Sequence, residues 1–161
     1  TISLYSLSKC FAISGYRIGY MIFPEELQDE LLKVQDTIGI CAPTPAQLAA
    51  NEIIPMGPTF CHQFFDVLIE NRSLVKSMLS EIDTVQIVWT KGAYYFFVTV
   101  ESLKSSFSLA KELIEHYGVI VLPGSMFDCP KCSFRLSYGN LSKEKLVEGL
   151  NRLKVGLNRL L

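Results

Sequence analysis

Two short apolar runs, residues 2–5 and 17–23, enclose a loop that carries Lys9 and ends on Arg17, and this pairing limits the fold more than any other feature of the chain. Runs that are apolar almost throughout predict strands buried on both faces, as in a parallel sheet. Two such strands cannot cover one another. The segment therefore reads as the remnant of a larger layer, a deficit that chain upstream of Thr1 would make good.

Helical grammar follows. Pro24, with Glu25 and Glu26 in the first turn, opens a helix over residues 25–37, where acids favour the positive end of the helix dipole. Pro43 and Pro45 break the next segment, and Thr44 is placed to cap a helix that Pro45 begins and that continues to residue 54. From Pro58, apolar residues recur at threes and fours up to about Ile82, which predicts one long helix joining two domains. Beyond it come strands at 86–89 and 94–100, a helix at 107–117, strands at 119–122 and 134–138, and a helix at 142–160 with Ser142 as N-cap. The fold class is α/β: residues 1–70 hold the end of a mostly parallel layer, and residues 71–161 form a smaller α+β domain.

Composition narrows the function. With Lys+Arg 15, Asp+Glu 16 and 49% hydrophobic residues, the chain is neither disordered nor a polyelectrolyte, and it carries no basic footprint for nucleic acid or an anionic membrane. No apolar run reaches the roughly 20 residues that span a bilayer. The first residues lack the pattern of a signal peptide and an initiating Met, so processing or truncation is expected ahead of Thr1. Five cysteines without a framework fit reduced thiols in the cytoplasm. Cys129 and Cys132 are spaced as C-x-x-C, but no second pair or histidine completes a zinc site, so no metal is expected. His62 and His116 have no acid or serine at triad spacing, which leaves a hydrolase without support.

The chemistry-bearing stretch is residues 6–20, with hydroxyls at Ser6, Ser8 and Ser14, glycines at 15 and 19, and the cations Lys9 and Arg17. A reactive amine beside an anion-binding guanidinium suits a phosphorylated cofactor. A second candidate is Arg135, in an alternating strand where Phe134, Leu136 and Tyr138 point one way and Arg135 and Ser137 the other, toward a possible cleft. Tyr94, Tyr95 and Phe96 read as packing, with no role in a site.

Residues 6–20 resemble the lysine motif of the class I/II pyridoxal-phosphate-dependent aminotransferases of fold type I. Residues 41–47, Gly92-Ala93-Tyr94-Tyr95-Phe96, Leu122-Pro123-Gly124-Ser125 and Phe134-Arg135-Leu136-Ser137-Tyr138-Gly139 are similar to further segments in that family's order. The resemblance covers the chain, but only the C-terminal part of a family member. It implies a pyridoxal 5'-phosphate cofactor held as a Schiff base by Lys9, its phosphate bound by Ser6, Arg17 and, more weakly, Ser8, and a substrate α-carboxylate gripped by Arg135. It further implies amino-group transfer between an amino acid and a 2-oxo acid, in a homodimer. The acid, aromatic ring and glycine-rich turn that complete such a site would lie upstream of Thr1, so the 161-residue chain alone is expected to be catalytically incomplete. Two alternatives stand beside this: a β-eliminating lyase on the same scaffold, and a noncatalytic fragment acting as a dimerisation module.

Overall fold

The computed structural model describes residues 1–161, which separate into two units, Thr1–Phe65 and Asp66–Leu161. No helix is long and apolar enough to cross a membrane.

In the first unit, β1 (Ser3–Ser6) leads into the four-residue α1 (Leu7–Cys10), a 3₁₀ turn at Ser14–Tyr16, and β2 (Gly19–Ile22). The strands pair antiparallel, with Tyr5 opposite Tyr20 and Ser6 opposite Gly19. The apolar pattern predicts partners in a parallel layer; the connection decides otherwise for this pair. The twelve residues between the strands, 7–18, form only the four-residue α1 and a 3₁₀ turn, and no element among them runs back the length of β1 as a parallel crossover must. Nor is either strand covered on both faces as the pattern predicts: Leu4 is 76% exposed and Ile22 58%. Gly19 is required where it stands, because a Cβ there would lie 2.5 Å from the Tyr5 carbonyl oxygen.

A 3₁₀ turn at Glu25–Leu27 precedes α2 (Gln28–Ile38), then come α3 (Thr44–Ile53), a 3₁₀ turn at Ile54–Met56, and α4 (Gly57–His62). α3 starts at Thr44 itself, one residue earlier than the Pro45 start that the sequence predicts. The amides of Ala46 and Gln47 both donate to the Pro43 carbonyl, so Pro43 holds the cap position and no side chain serves there. The long helix expected from Pro58 is also broken, into α4 and α5 (Phe65–Leu79). At the break, Gln63 Nε2 donates to the Phe60 carbonyl, occupying an acceptor at the end of α4.

The second unit continues with β3 (Val85–Ile87), β4 (Tyr95–Val100), α6 (Ser106–Tyr117), β5 (Leu122–Pro123), a 3₁₀ turn at Gly124–Phe127, β6 (Ser133–Ser137) and α7 (Lys143–Leu160). All pairings in the sheet, ordered β3-β4-β6-β5, are antiparallel. β5 is shorter than the apolar run 119–122 predicts: the ladder holds only Leu122 and Pro123, and Val119 and Val121 bury themselves in the core without joining it. Helical spacing explains the packing. Val75 and Leu79 of α5, Leu109 and Leu113 of α6, and Leu146, Leu150, Leu153 and Leu157 of α7 form stripes that share one core with Phe96, Val98 and Phe134 of the sheet and with Tyr138 just past β6. Each leucine removed from water contributes about 2 kcal/mol. Ser105 caps α6 through the Ser108 amide, at 3.1 Å. Buried Asn71 donates to the carbonyls of Tyr138 and Leu141, tying α5 to the chain that leaves β6.

Candidate active site

In the first unit, the β1-α1 junction sets the position of three hydroxyl- and cation-bearing residues. Ser6 ends β1 and caps α1, its Oγ accepting from the Ser8 amide at 3.3 Å. That bond uses an acceptor lone pair and leaves the hydroxyl proton available to an anion. Arg17 adopts a left-handed backbone (φ 53°, ψ 45°), an unusual state for a residue with a side chain. Its Nη1 donates to the Ser14 carbonyl at 2.9 Å, which closes the loop and leaves the rest of the guanidinium fork uncommitted. Arg17 enters none of the chain's ion pairs. Ser6, Ser8 and Arg17 line one open concavity of about 470 Å³, together with Tyr5 and Tyr20, whose rings stack at 4.8 Å. The first unit thus brings together three of the residues singled out from sequence.

Lys9 follows one turn later, within α1. The sequence places it between two buried strands; in the structure it is exposed, because neither strand is covered.

Arg135 belongs to the second unit. It stands on β6 opposite Phe97 of β4 and Leu122 of β5, on the sheet face away from the core, as the alternation predicts. Its guanidinium carbon lies 5.0 Å from the ring centre of Tyr95 and 5.3 Å from that of Phe127. Its Nε is enclosed without a hydrogen-bond partner, and no carboxylate of the chain forms an ion pair with it. A cation held this way retains its full attraction for an outside anion.

Reading residues 94–96 as packing covers Phe96, which is buried, but not Tyr95, which is 37% exposed and faces Arg135. The alternation that separates Arg135 from Phe134 applies equally to β4 and would have set Tyr95 on the same side. Phe127 had no such signal, since a turn carries no strand period.

Among the thiols, all free, Cys129 and Cys132 differ in environment. The Ser133 hydroxyl, then the Lys131 amide, hold the Cys129 thiol below the usual range, while burial pushes Cys132 and Cys61 up. No group of histidines, cysteines and acids is arranged to hold a metal ion.

The model of the family "Aminotransferase class I and II" matches residues 1–153. An aromatic aminotransferase of Arabidopsis thaliana is 29% identical over 164 residues, 99% of this chain and 41% of that protein. An aspartate aminotransferase of Pyrococcus horikoshii is 29% identical over 161 residues, 98% of this chain and 41% of that protein. Among solved structures, a PLP-dependent aminotransferase from Streptococcus suis superposes with a TM-score of 0.89 at 25% identity, covering 98% of this chain and 42% of its own. The chain therefore spans about two fifths of the length of the relatives it matches.

Proposed function

Because the chain belongs to the class I and II aminotransferases, we propose that it contributes the amine, the phosphate anchor and the carboxylate anchor of a pyridoxal-phosphate-dependent transfer of an amino group from an amino acid to a 2-oxo acid. The observation that carries the reading is the concavity shared by Ser6, Ser8 and Arg17, one turn from Lys9. Its donors suit a phosphoryl group: a planar fork on Arg17 and two short hydroxyls, with no carboxylate paired to the cation. The residues present therefore fit the phosphate end of the cofactor.

Bound pyridoxal phosphate would supply an aldehyde that captures amino groups and a ring that accepts the electrons left when an α-hydrogen departs. The residues do the rest. Arg17 and Ser6 hold the phosphoryl end and fix the cofactor's position. Lys9 would hold the cofactor at its aldehyde end through Nζ, and the same nitrogen would move the substrate α-proton, as base and then as acid. Arg135 accepts the α-carboxylate on two parallel N–H donors and so orients that α-hydrogen. In this reading residues 1–70 belong to the larger, cofactor-binding domain and residues 71–161 form the smaller one. The complete protein acts as a homodimer in the cytoplasm.

The test is covalent mapping. Pyridoxal phosphate is added to the 161-residue chain, borohydride fixes the cofactor on whichever amine has captured it, and peptides are weighed. Lys9 is expected to carry the label ahead of the other lysines, inorganic phosphate is expected to compete, and Arg17→Leu is expected to lose the preference. Labelling spread evenly over the lysines, with Lys9 not preferred, rejects the site. Transfer itself is tested on a protein of the relatives' length, where an α-¹⁵N-labelled amino acid should pass its nitrogen to a 2-oxo acid; release of free ammonia would point to elimination.

A further inference from the structure

We propose that Tyr95 and Phe127 are positioning residues that clamp the Arg135 guanidinium between two rings, so that its outer edge is already oriented for a substrate carboxylate; the inference rests on the reading of Arg135 given above. Three features build the clamp. Tyr95 pairs with Ser137 across β4 and β6, which makes it the diagonal neighbour of Arg135 on the same face, within reach of two long side chains. Its ring centre is 5.0 Å from the guanidinium carbon, inside cation–π range.

Phe127 comes from a different element. It ends the 3₁₀ turn that follows β5, where Asp128 takes a left-handed conformation (φ 54°) and the Cys129 amide donates back to the Gly124 carbonyl at 3.2 Å. The Phe127 ring is set edge-on against Phe97 at 5.9 Å, and Phe97 is the direct cross-strand partner of Arg135. The aromatic that touches the cation is therefore itself held by the residue opposite that cation.

The electrostatics fit a clamp better than simple packing. Of the three guanidinium nitrogens, only Nε is enclosed without a partner. No acid of the chain neutralises the charge. A structural arginine on a sheet face would ordinarily find a carboxylate or a carbonyl; here the guanidinium meets the rings of Tyr95 and Phe127, which leaves its terminal N–H groups to donate to a planar, bidentate partner. Orientation is thus set before a ligand arrives, which lowers the ordering penalty of binding.

The test uses the 161-residue chain with ¹⁵N-labelled arginine. Relaxation of the Arg135 Nε–Hε vector reads how firmly the group is held, and a titration with propionate, a carboxylate with no amino group, reads binding. In the unsubstituted chain the vector should be ordered and shift with propionate. Tyr95→Leu and Phe127→Leu should each loosen the vector and weaken propionate about three-fold, while Tyr95→Phe, which keeps the ring, should restore both. Both rings are partly exposed, so the backbone amide spectrum of each variant should stay that of the folded chain. If Arg135→Leu abolishes the response but the two leucine variants bind as the parent does with an ordered Arg135, the clamp is overturned and the carboxylate reading of Arg135 survives. If propionate leaves Arg135 unmoved in the unsubstituted chain, or Arg135→Leu binds unchanged, the carboxylate reading fails and the clamp falls with it.

Discussion

The two units are built on opposite terms. In the second, helical stripes and one sheet face close around a continuous core in which Val75, Val98, Leu113, Tyr138, Leu153 and Leu157 are fully enclosed. In the first, only Leu7, Ala46, Ala50 and Cys61 are buried, while Leu4, Ile22, Ile38 and Ile40 face outward. Arg135 thus sits on an element that its own unit makes rigid. Lys9, Ser6 and Arg17 sit on a hairpin fixed chiefly by local bonds: the Ser6 cap, the Arg17 bond to the Ser14 carbonyl and the Tyr5–Tyr20 stack. Order at Arg135 should therefore depend on global folding, and order at Arg17 on local geometry.

The largest effect should come from hollowing the closed core. Leu153→Ala, at a site with no exposure, should destabilise the second unit by about 3 kcal/mol in urea unfolding. Leu4→Ala, on the open hairpin, should shift the same transition by less than about 0.5 kcal/mol. Equal shifts would mean that the two units share one core, and the contrast between them would be lost.

Gly124→Ala and Gly19→Ala sharpen the contrast next. A Cβ on Gly124 would fall 1.9 Å from Ser133 Oγ, inside the packed unit, so Gly124→Ala should cost about 2 kcal/mol and loosen Phe127 against Arg135. On Gly19 the clash is with the Tyr5 carbonyl, between two lightly covered strands. Gly19→Ala should open the β1-β2 pairing, seen as lost amide protection there, while the urea transition of the second unit stays where it was. A matching loss of protection in β4 and β6 would show that the hairpin is coupled to the rest.

Legibility from sequence divided along the same line. Where a unit closes on itself, local pattern and tertiary context agree: the Leu146-Leu150-Leu153-Leu157 stripe, the Ser142 cap position and the outward face of Arg135 were all readable. Where it does not, apolar residues 2–5 and 17–23 could state what they would bury under but not which way they pair, since the structure of the connection sets the direction. Proline positions were visible, yet the residue holding the cap of α3 was settled by which carbonyl the Ala46 and Gln47 amides reach. The Phe127 contact was invisible because it depends on a turn of the chain meeting a strand face, a long-range event with no local period.

The smallest effect is the response of the second unit to acid. Glu112 of α6 is held below the usual carboxylate range first by the hydrogen bond from Lys104 Nζ at 2.7 Å, with that charge and the Ser108 hydroxyl adding to it. Glu144 at the start of α7 is lowered by its own backbone amide and by the Ser142 hydroxyl. Both groups bind fewer protons folded than unfolded in the window just below their ordinary values, about 4.3, so their stabilisation is complete above that pH and is lost as pH falls through the lower folded value. Urea midpoints measured from pH 6 downward should therefore decline through that window. Glu112→Gln should flatten the decline modestly, because the group is partly exposed and its pairing is screened. Added salt should flatten it in the parent chain too.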